Sequence, residues 1–222
     1  MRVTLGAMTV ALATFTGALT LEAQQLREDS YRWFVGPQVG ALWFETQTQT
    51  RSMVPTVGIQ MLVVGKRGGL QISVEEGFGS EETSAYADTT VVGGVAGATF
   101  DRLRKYSATL MAFPVSGQAE PFLGVGFGIL HTVNTRADGV FATPEEQAAA
   151  FARAKDLGSS GFASLVGGVQ IRMTPRLVLY GQYQITTAPP GGKLLVGPSH
   201  GLTAGLRLGL GKAREDARAG GF

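Results

Sequence analysis

The chain has 222 residues, of which 44% are hydrophobic and 16% charged; this allows one sizeable folded unit and excludes a disordered polyampholyte. Glycine makes up 32 residues, roughly twice average usage, but there is no Gly-X-Y period and only 9 prolines, which excludes collagen and argues against a helical bundle. The absence of cysteine excludes disulfides and thiolate chemistry, and a formal net charge of +2 gives no reason to expect a nucleic-acid partner.

The N-terminus has the layout of a secretory signal peptide over 1–23. Arg2 precedes an uncharged stretch, 3–21, that is rich in Ala, Leu, Val and Thr. We place the cleavage after Ala23, a small residue, which leaves 24–32 as an N-terminal periplasmic segment. The alternative is an uncleaved membrane anchor, since about twenty apolar residues can span a bilayer. Export without cysteine suits a bacterial protein stabilised by other means, such as a closed sheet in lipid.

From Trp33 onward the residue types alternate with a period of two, one parity being apolar and the other small or polar. Leu123, Val125 and Phe127, for example, alternate with glycines, and Met111 and Phe113 interrupt the pattern in one segment. Alternation of this kind predicts β-strands. Eight candidate strands follow, at 33–46, 53–64, 70–75, 104–114, 122–132, 162–173, 177–186 and 201–210.

The connections between these strands alternate in length. Long loops at 47–52, 79–103, 133–160 and 187–199 are separated by short turns at 65–69, 116–120 and 174–176. An even number of strands with short turns at one end and long loops at the other is typical of bacterial outer membrane barrels. The sequence therefore predicts an all-β fold, an eight-stranded antiparallel up-and-down transmembrane β-barrel over 33–211, followed by a polar C-terminal tail over 212–222.

The polar parity indicates which face of each strand points inward. It carries glycine, glutamine, serine and threonine with few charges, whereas a solvated face would carry many Lys and Glu side chains. We therefore expect the apolar parity to contact lipid and the polar parity to fill the narrow interior of an eight-stranded barrel. The alternative is a soluble, lipocalin-like barrel with its apolar parity inside. The predicted polar network of the lumen, in which the charged residues pair with each other or with the glutamines, comprises Gln38, Gln60, Gln71, Glu75, Lys105, Gln170, Arg172, Gln182, Gln184 and Arg207.

Aromatic residues near strand ends and two loop segments add further expectations. The aromatic residues either form interfacial girdles or belong to an ordinary core. In the third long loop, Thr143 and Glu146 form a capping box around Pro144, which predicts a short helix packed over the barrel mouth. The apolar stretch 91–100 either extends a hairpin beyond the membrane or adds a strand pair, and we favour extension because the strand total is already even. The candidate girdle residues are Trp33, Trp43, Phe78, Tyr106 and Phe113.

Candidate catalytic residues are few. His131 and His200 are the only histidines, both near the long-loop end. Ser199 precedes His200 directly, and adjacent strand residues point to opposite faces, so no nucleophile, base and orienting group are assembled. Two histidines without cysteine or a carboxylate cluster predict no metal site, and the alternating glycines at 124–128 lie in a strand rather than a nucleotide-binding loop. The sequence thus predicts a protein that is not an enzyme and has no cofactor.

Repeated segments such as 121–130 and 201–210 resemble those of the small eight-stranded bacterial outer membrane β-barrel proteins, the class of the OmpA transmembrane domain, OmpX and OmpW. The resemblance covers 33–211 and implies localisation in the outer membrane, contact with membrane lipid and lipopolysaccharide, and a monomer. It also implies a structural or surface-interaction role, with a surface protein or glycan bound through the long loops. In that family the final strand ends in an aromatic residue, whereas Phe222 follows a polar stretch here. A lipid-modifying hydrolase that uses the two histidines, and a channel for small solutes, are the alternatives.

Overall fold

The structure, a computed structural model, describes residues 31–88, 94–141 and 143–210. The predicted signal peptide and C-terminal tail lie outside these residues. The described part contains β1 (Arg32–Thr46), β2 (Ser52–Val64), β3 (Gly68–Ala87), β4 (Val95–Ala112), β5 (Ala119–Val133), β6 (Arg136–Asp138), α1 (Pro144–Leu157), β7 (Ser159–Arg172), β8 (Leu177–Thr186) and β9 (Leu195–Leu210).

Eight of the strands, all except β6, close into an antiparallel barrel. Successive strands pair with one another, β5 pairs directly with β7, and β9 returns to pair with β1 from Trp33↔Leu210 to Trp43↔His200. Closure leaves no unpaired strand edge in hydrocarbon, where water cannot satisfy backbone groups. The predicted fold class is confirmed.

The outer surface of the barrel is an apolar belt. Outward-facing leucines remain accessible, and Leu206, Leu208 and Leu210 are 41%, 50% and 58% exposed. The lipocalin-like alternative is wrong, because it requires these side chains to face the axis. Other members of the belt are Val39, Val57, Ile59, Leu70, Ile72, Val74, Leu110, Leu123, Val125, Phe127, Ile129, Leu165, Val169, Leu179, Ile185 and Leu202.

The aromatic residues divide between the two faces. Trp33, Phe78 and Tyr106 lie outside, with 43–45% of their surface exposed, whereas Phe113 is 7% exposed and faces the lumen. Of the two alternatives given for these residues, the core is therefore the one that applies to Phe113. Phe113 and Met111 interrupt the polar parity because they contribute to an apolar cluster at the short-turn end of the lumen.

The second long loop is an extended hairpin. β3 and β4 stay paired from Glu82↔Phe100 to Ala87↔Val95, beyond a register shift after Phe78. Within the described residues this confirms the predicted extension. A short strand that the sequence did not predict, β6, adds to the outer end of β4 through Ala98↔Ala137.

The predicted helix is present as α1. The Thr143 hydroxyl accepts a hydrogen bond from the backbone N–H of Glu146 at 3.2 Å, and Pro144 occupies the first turn. Both features stabilise a helix start. In the described part of the chain, no helix is long and apolar enough to cross a membrane.

Candidate functional site

The centre of the lumen is organised around the guanidinium of Arg207, which is fully buried. Its Nε donates to Gln60 Oε1 at 3.3 Å, Nη1 to Gln170 Oε1 at 2.6 Å and Nη2 to Gln71 Oε1 at 3.0 Å. The guanidinium carbon lies 3.9 Å from the centroid of the Tyr180 ring. Because an uncompensated buried charge is very costly, three amide oxygens and an aromatic face are needed to hold this cation in the lumen.

Two branches extend this network. The Tyr180 hydroxyl donates to Gln38 Oε1 at 2.7 Å. On the other side, Gln170 Nε2 donates to Glu120 Oε2 at 2.7 Å, and Arg172 Nη2 donates to Glu120 Oε1, also at 2.7 Å. Through one glutamine, the central guanidinium is therefore linked to a carboxylate near the short-turn end.

A second ionic group lies elsewhere in the lumen. Lys105 Nζ is 3.0 Å from Glu75 Oε2, each side chain being 4% exposed, and it also donates to Gln184 Oε1 at 2.9 Å. Gln182 is buried as well, but its Oε1 has no hydrogen-bond partner among the described residues. The structure thus places the predicted network residues on the lumen side, and all of them except Gln182 belong to one of these two polar groups.

Apolar layers close both ends of this polar interior. Near the short turns, Phe34, Phe113 and Phe122 pack with aliphatic side chains in one cluster. Toward the long loops, Phe44, Phe100 and further residues form a second cluster. The interior of an eight-stranded barrel is narrow enough for side chains to fill it. The second cluster, which we call the upper plug, comprises Leu42, Phe44, Val54, Phe100, Leu103, Leu130, Phe162 and Leu195.

Above the upper plug the long loops form a folded cap with an apolar core of its own. The helix contributes Ala150 and Ala154, the latter fully buried, and Phe151 meets Phe141 edge to face at 6.3 Å between centroids. Alanine at the contact positions lets the helix lie close to β6. The buried core comprises Tyr86, Ala96, Ala98, Ala137, Ala150, Ala154 and Leu194.

Polar contacts join the loops within the cap. Arg153 of α1 forms an ion pair with the buried carboxylate of Asp88. The Ser84 hydroxyl donates to the Leu194 carbonyl at 2.6 Å, and the Leu194 N–H donates to the Leu157 carbonyl at 3.2 Å. The segment before β9 is therefore tied both to the hairpin and to the helix.

The cap also affects one titratable group in the part of the hairpin that extends beyond the apolar belt. Burial, together with the Asp88 carboxylate, raises the pKa of the Tyr86 phenol. Its hydroxyl has no hydrogen-bond partner in the described part of the chain. The phenol is therefore neutral over the physiological pH range.

The first long loop joins the same assembly. The Thr46 and Thr48 hydroxyls donate to the Thr83 carbonyl at 2.6 and 2.8 Å, and the Thr83 N–H donates to Gln49 Oε1 at 3.1 Å. All four long-loop regions therefore contribute to one cap rather than to independent loops.

The two histidines lie on different strand pairs. His131 on β5 faces Ser159 on β7, with Nδ1 2.5 Å from the serine Oγ. His200 on β9 contacts Tyr183 on β8, and Ser199 beside it faces inward and bonds Thr186. Since β7 and β8 lie between β5 and β9, the two histidines do not form one site. No group of three metal-ligating side chains occurs in residues 31–88, 94–141 and 143–210.

Sequence reasoning missed two members of the lumen network. Glu120 was assigned to a short turn, although it shares the inward parity of Phe122 and Gly124. Tyr180 alternates in step with Gln182 and Gln184 on its strand and is buried with them, and it is the stacking partner of Arg207. Had the predicted strand 122–132 been extended by two residues at its start, Glu120 would have been placed on the inward face.

Comparison with known proteins supports the fold. No protein-family model and no curated protein matches the chain. Among solved structures it is similar to Neisserial surface protein A, with a TM-score of 0.53 and 13% identity over 79% of this chain and 96% of that chain. Weaker similarity exists to the N-terminal β-barrel domain of Pseudomonas aeruginosa OprF, with a TM-score of 0.43 and 9% identity over 79% and 97% of the two chains. Similarity of the same order exists to Ail of Yersinia pestis, in complex with the heparin analogue sucrose octasulfate. The TM-score is 0.42, and the identity is 9% over 82% of this chain and 99% of that chain.

The fold is therefore that of the small eight-stranded outer membrane barrels, as the sequence resemblance implied. The outward apolar belt is the surface that barrel strands present to lipid when they cross a bilayer.

Proposed function

We propose that this protein is a non-enzymatic outer membrane barrel with a sealed lumen, which displays its cap for contact with a protein at the cell surface. The observation that carries the proposal is the cap itself. Strand connections need no apolar core in order to join a barrel, yet three of the four long-loop regions of this chain share one around α1, and the first is tied to the hairpin by hydrogen bonds. A folded, rigid surface loses less conformational entropy on binding than separate loops would.

The charges on the cap support a protein partner over a polyanionic glycan. The helix presents Glu145, Glu146 and Asp156 together with Arg153 and Lys155. Arg153 already forms an ion pair within the cap. A surface of mixed sign lacks the basic cluster that recognition of sulfated polymers requires; the heparin-analogue complex is a property of Ail.

The sealed lumen is tested by single-channel recording in planar bilayers. Wild-type protein is expected to give no conductance steps, because the polar network lies between two apolar layers. Arg207→Ala, which removes the central guanidinium, should allow brief openings. Leu206→Ala, on the lipid face of the same strand, is the matched control and should stay silent. Steady conductance by the wild-type protein would overturn the sealed lumen.

The role of the cap is tested by adhesion of Escherichia coli cells that display the protein. Immobilised fibronectin, laminin and heparin serve as probes. Cells with the wild-type protein are expected to bind a protein probe and not heparin. A variant in which a Gly-Ser linker replaces α1 should lose that binding while keeping the heat-dependent gel shift of a folded barrel. Binding to heparin alone, or binding that survives the replacement, would contradict the proposal.

A further inference from the structure

Basic side chains cluster on one side of the barrel rim at the short-turn end. Arg32 begins β1 beside the turn that connects β2 to β3, and Arg176 lies in the turn that connects β7 to β8. The carbonyl of Arg176 accepts a hydrogen bond from the Gly209 N–H of β9 at 2.7 Å, so this turn contacts the strand that pairs with β1. Since β8, β9, β1, β2 and β3 are consecutive in the barrel, these charges share one arc of the rim. The basic arc comprises Arg32, Lys66, Arg67 and Arg176.

The arginines of the basic arc have no ionic partner. None of the three forms an ion pair with another described residue. Within the part of the chain that the structure describes, the only carboxylate at the short-turn end is that of Glu120, which is buried and already paired with Arg172. The turn on the opposite side of the rim, 113–118 between β4 and β5, carries no charge. The arc is therefore a positive patch, unlike the mixed charges of the cap.

Exposed apolar side chains lie among these charges. Tyr31 and Trp33 flank Arg32 in the sequence, Leu210 of β9 pairs with Trp33, and Met173 leads into the turn between β7 and β8. These four aromatic and aliphatic side chains are between 45% and 59% exposed. Basic residues mixed with exposed aromatic and aliphatic ones are typical of the boundary between hydrocarbon and lipid headgroups.

The asymmetry of the loops assigns the basic arc to one leaflet. Short turns face the periplasm in outer membrane barrels, so the arc lies at the inner leaflet, whose lipids are phospholipids. A turn of four residues such as 173–176 must return to the barrel, so its backbone extends at most about 7 Å beyond the strand ends. This distance is below the Debye length at physiological salt, within which Lys and Arg side chains are attracted to an anionic membrane surface.

We propose that the basic arc binds the headgroups of anionic phospholipids in the inner leaflet, of which phosphatidylglycerol is an example. The guanidinium groups of Arg32, Arg67 and Arg176 contact the phosphodiester oxygens, which their planar donors match, while Trp33 and Leu210 contact the upper part of the acyl chains. The source is a lipid because the charges are mixed with exposed apolar side chains that a free anion would leave in water. The inference goes beyond the role of the cap, and it needs the membrane location of the barrel but neither the sealed lumen nor the partner of the cap.

Quenching of Trp33 by brominated lipids tests the assignment. The chain has 2 tryptophans, so Trp43→Phe leaves Trp33 as the single reporter in the full protein. This protein is reconstituted into phosphatidylcholine vesicles that contain, at the same mole fraction, either brominated phosphatidylglycerol or brominated phosphatidylcholine. Both leaflets have the same composition, so the direction of insertion does not matter. Because bromine quenches a tryptophan that it contacts, the two curves give the relative affinity of the two lipids at this rim.

Phosphatidylglycerol is expected to bind about fivefold more tightly than phosphatidylcholine, and about 1 M sodium chloride should remove the preference. In this background, the double variant Arg32→Gln with Arg176→Gln should bring the two affinities within about twofold of each other. The control is the double variant Arg102→Gln with Arg136→Gln, which removes two exposed arginines toward the long-loop end and should leave the preference unchanged.

Equal quenching by the two brominated lipids would overturn the proposal, and so would a preference that survives the loss of Arg32 and Arg176 or that the control variant also removes. Inorganic phosphate provides the remaining arm. If it reduces the preference more than sodium chloride at the same ionic strength, the arc binds a free anion and the lipid source is wrong. The comparison of the two lipids uses only Trp43→Phe, so it decides the question even if an arginine variant fails to show the gel shift of a folded barrel.

Discussion

Replacing Lys105 by methionine should destabilise the barrel strongly. The substitution nearly preserves side-chain volume but removes the ammonium 3.0 Å from Glu75 Oε2 and its hydrogen bond to Gln184. Because Glu75 is 4% exposed, its carboxylate cannot recover hydration. Breaking a buried pair by removing one partner costs about 3–5 kcal/mol, which lowers the ratio of folded to unfolded protein by a factor of roughly 100 to 4,000.

The assay is urea unfolding of the protein in detergent micelles, followed by tryptophan fluorescence and the heat-dependent gel shift. The double variant Glu75→Gln with Lys105→Met removes both charges and should recover most of the loss, because no lone buried charge remains. Arg102→Gln is the exposed control. Arg102 is 48% exposed beside Glu76, so its removal should change stability by at most about 1 kcal/mol. A Lys105→Met variant as stable as Arg102→Gln would refute the reasoning that the lumen is desolvated.

Two further substitutions test packing in the barrel wall and in the cap. Gly36→Ala places a Cβ 1.9 Å from the Leu206 carbonyl oxygen and should lower the unfolding free energy by about 1–3 kcal/mol or more. The control Gly181→Ala meets no atom within 4 Å and should be neutral or stabilising in the same urea titration. Similar losses of unfolding free energy in Gly36→Ala and Gly181→Ala would contradict the close approach of β1 and β9. Ala154→Leu overpacks the fully buried contact of α1 and should speed proteolysis of the cap without changing barrel unfolding. The exposed Ala152→Leu should leave the digestion rate unchanged, and a slower digestion of Ala154→Leu would show that α1 is not packed as described.

The sequence predicted the barrel well because membrane and lumen impose opposite demands on alternate residues. A run such as Leu206, Arg207, Leu208 has one arrangement in which the leucines meet lipid and the cation is enclosed. The alternation of loop lengths then orders the strands. Both signals are local, so a single sequence suffices to read them.

Features that depend on register were not predictable. The contact between Arg207 and Gln71 joins residues 136 positions apart, and the His131–Ser159 pair exists only because β5 lies beside β7. The cap core was missed for a similar reason. Its alanines have no distinctive pattern in sequence, and β6 is a strand only because β4 extends far enough to pair with it.

The upper plug separates the cap from the polar network of the lumen, and this affects how substitutions in one region alter the stability of the other. It lies between the polar network and the cap, and it consists of side chains from strands that cross the membrane. The cap core is a separate cluster that draws on the hairpin extension, β6, α1 and Leu194. Because sites without shared partners usually contribute additively to stability, substitutions in the cap core are expected to leave the stability of the barrel unchanged.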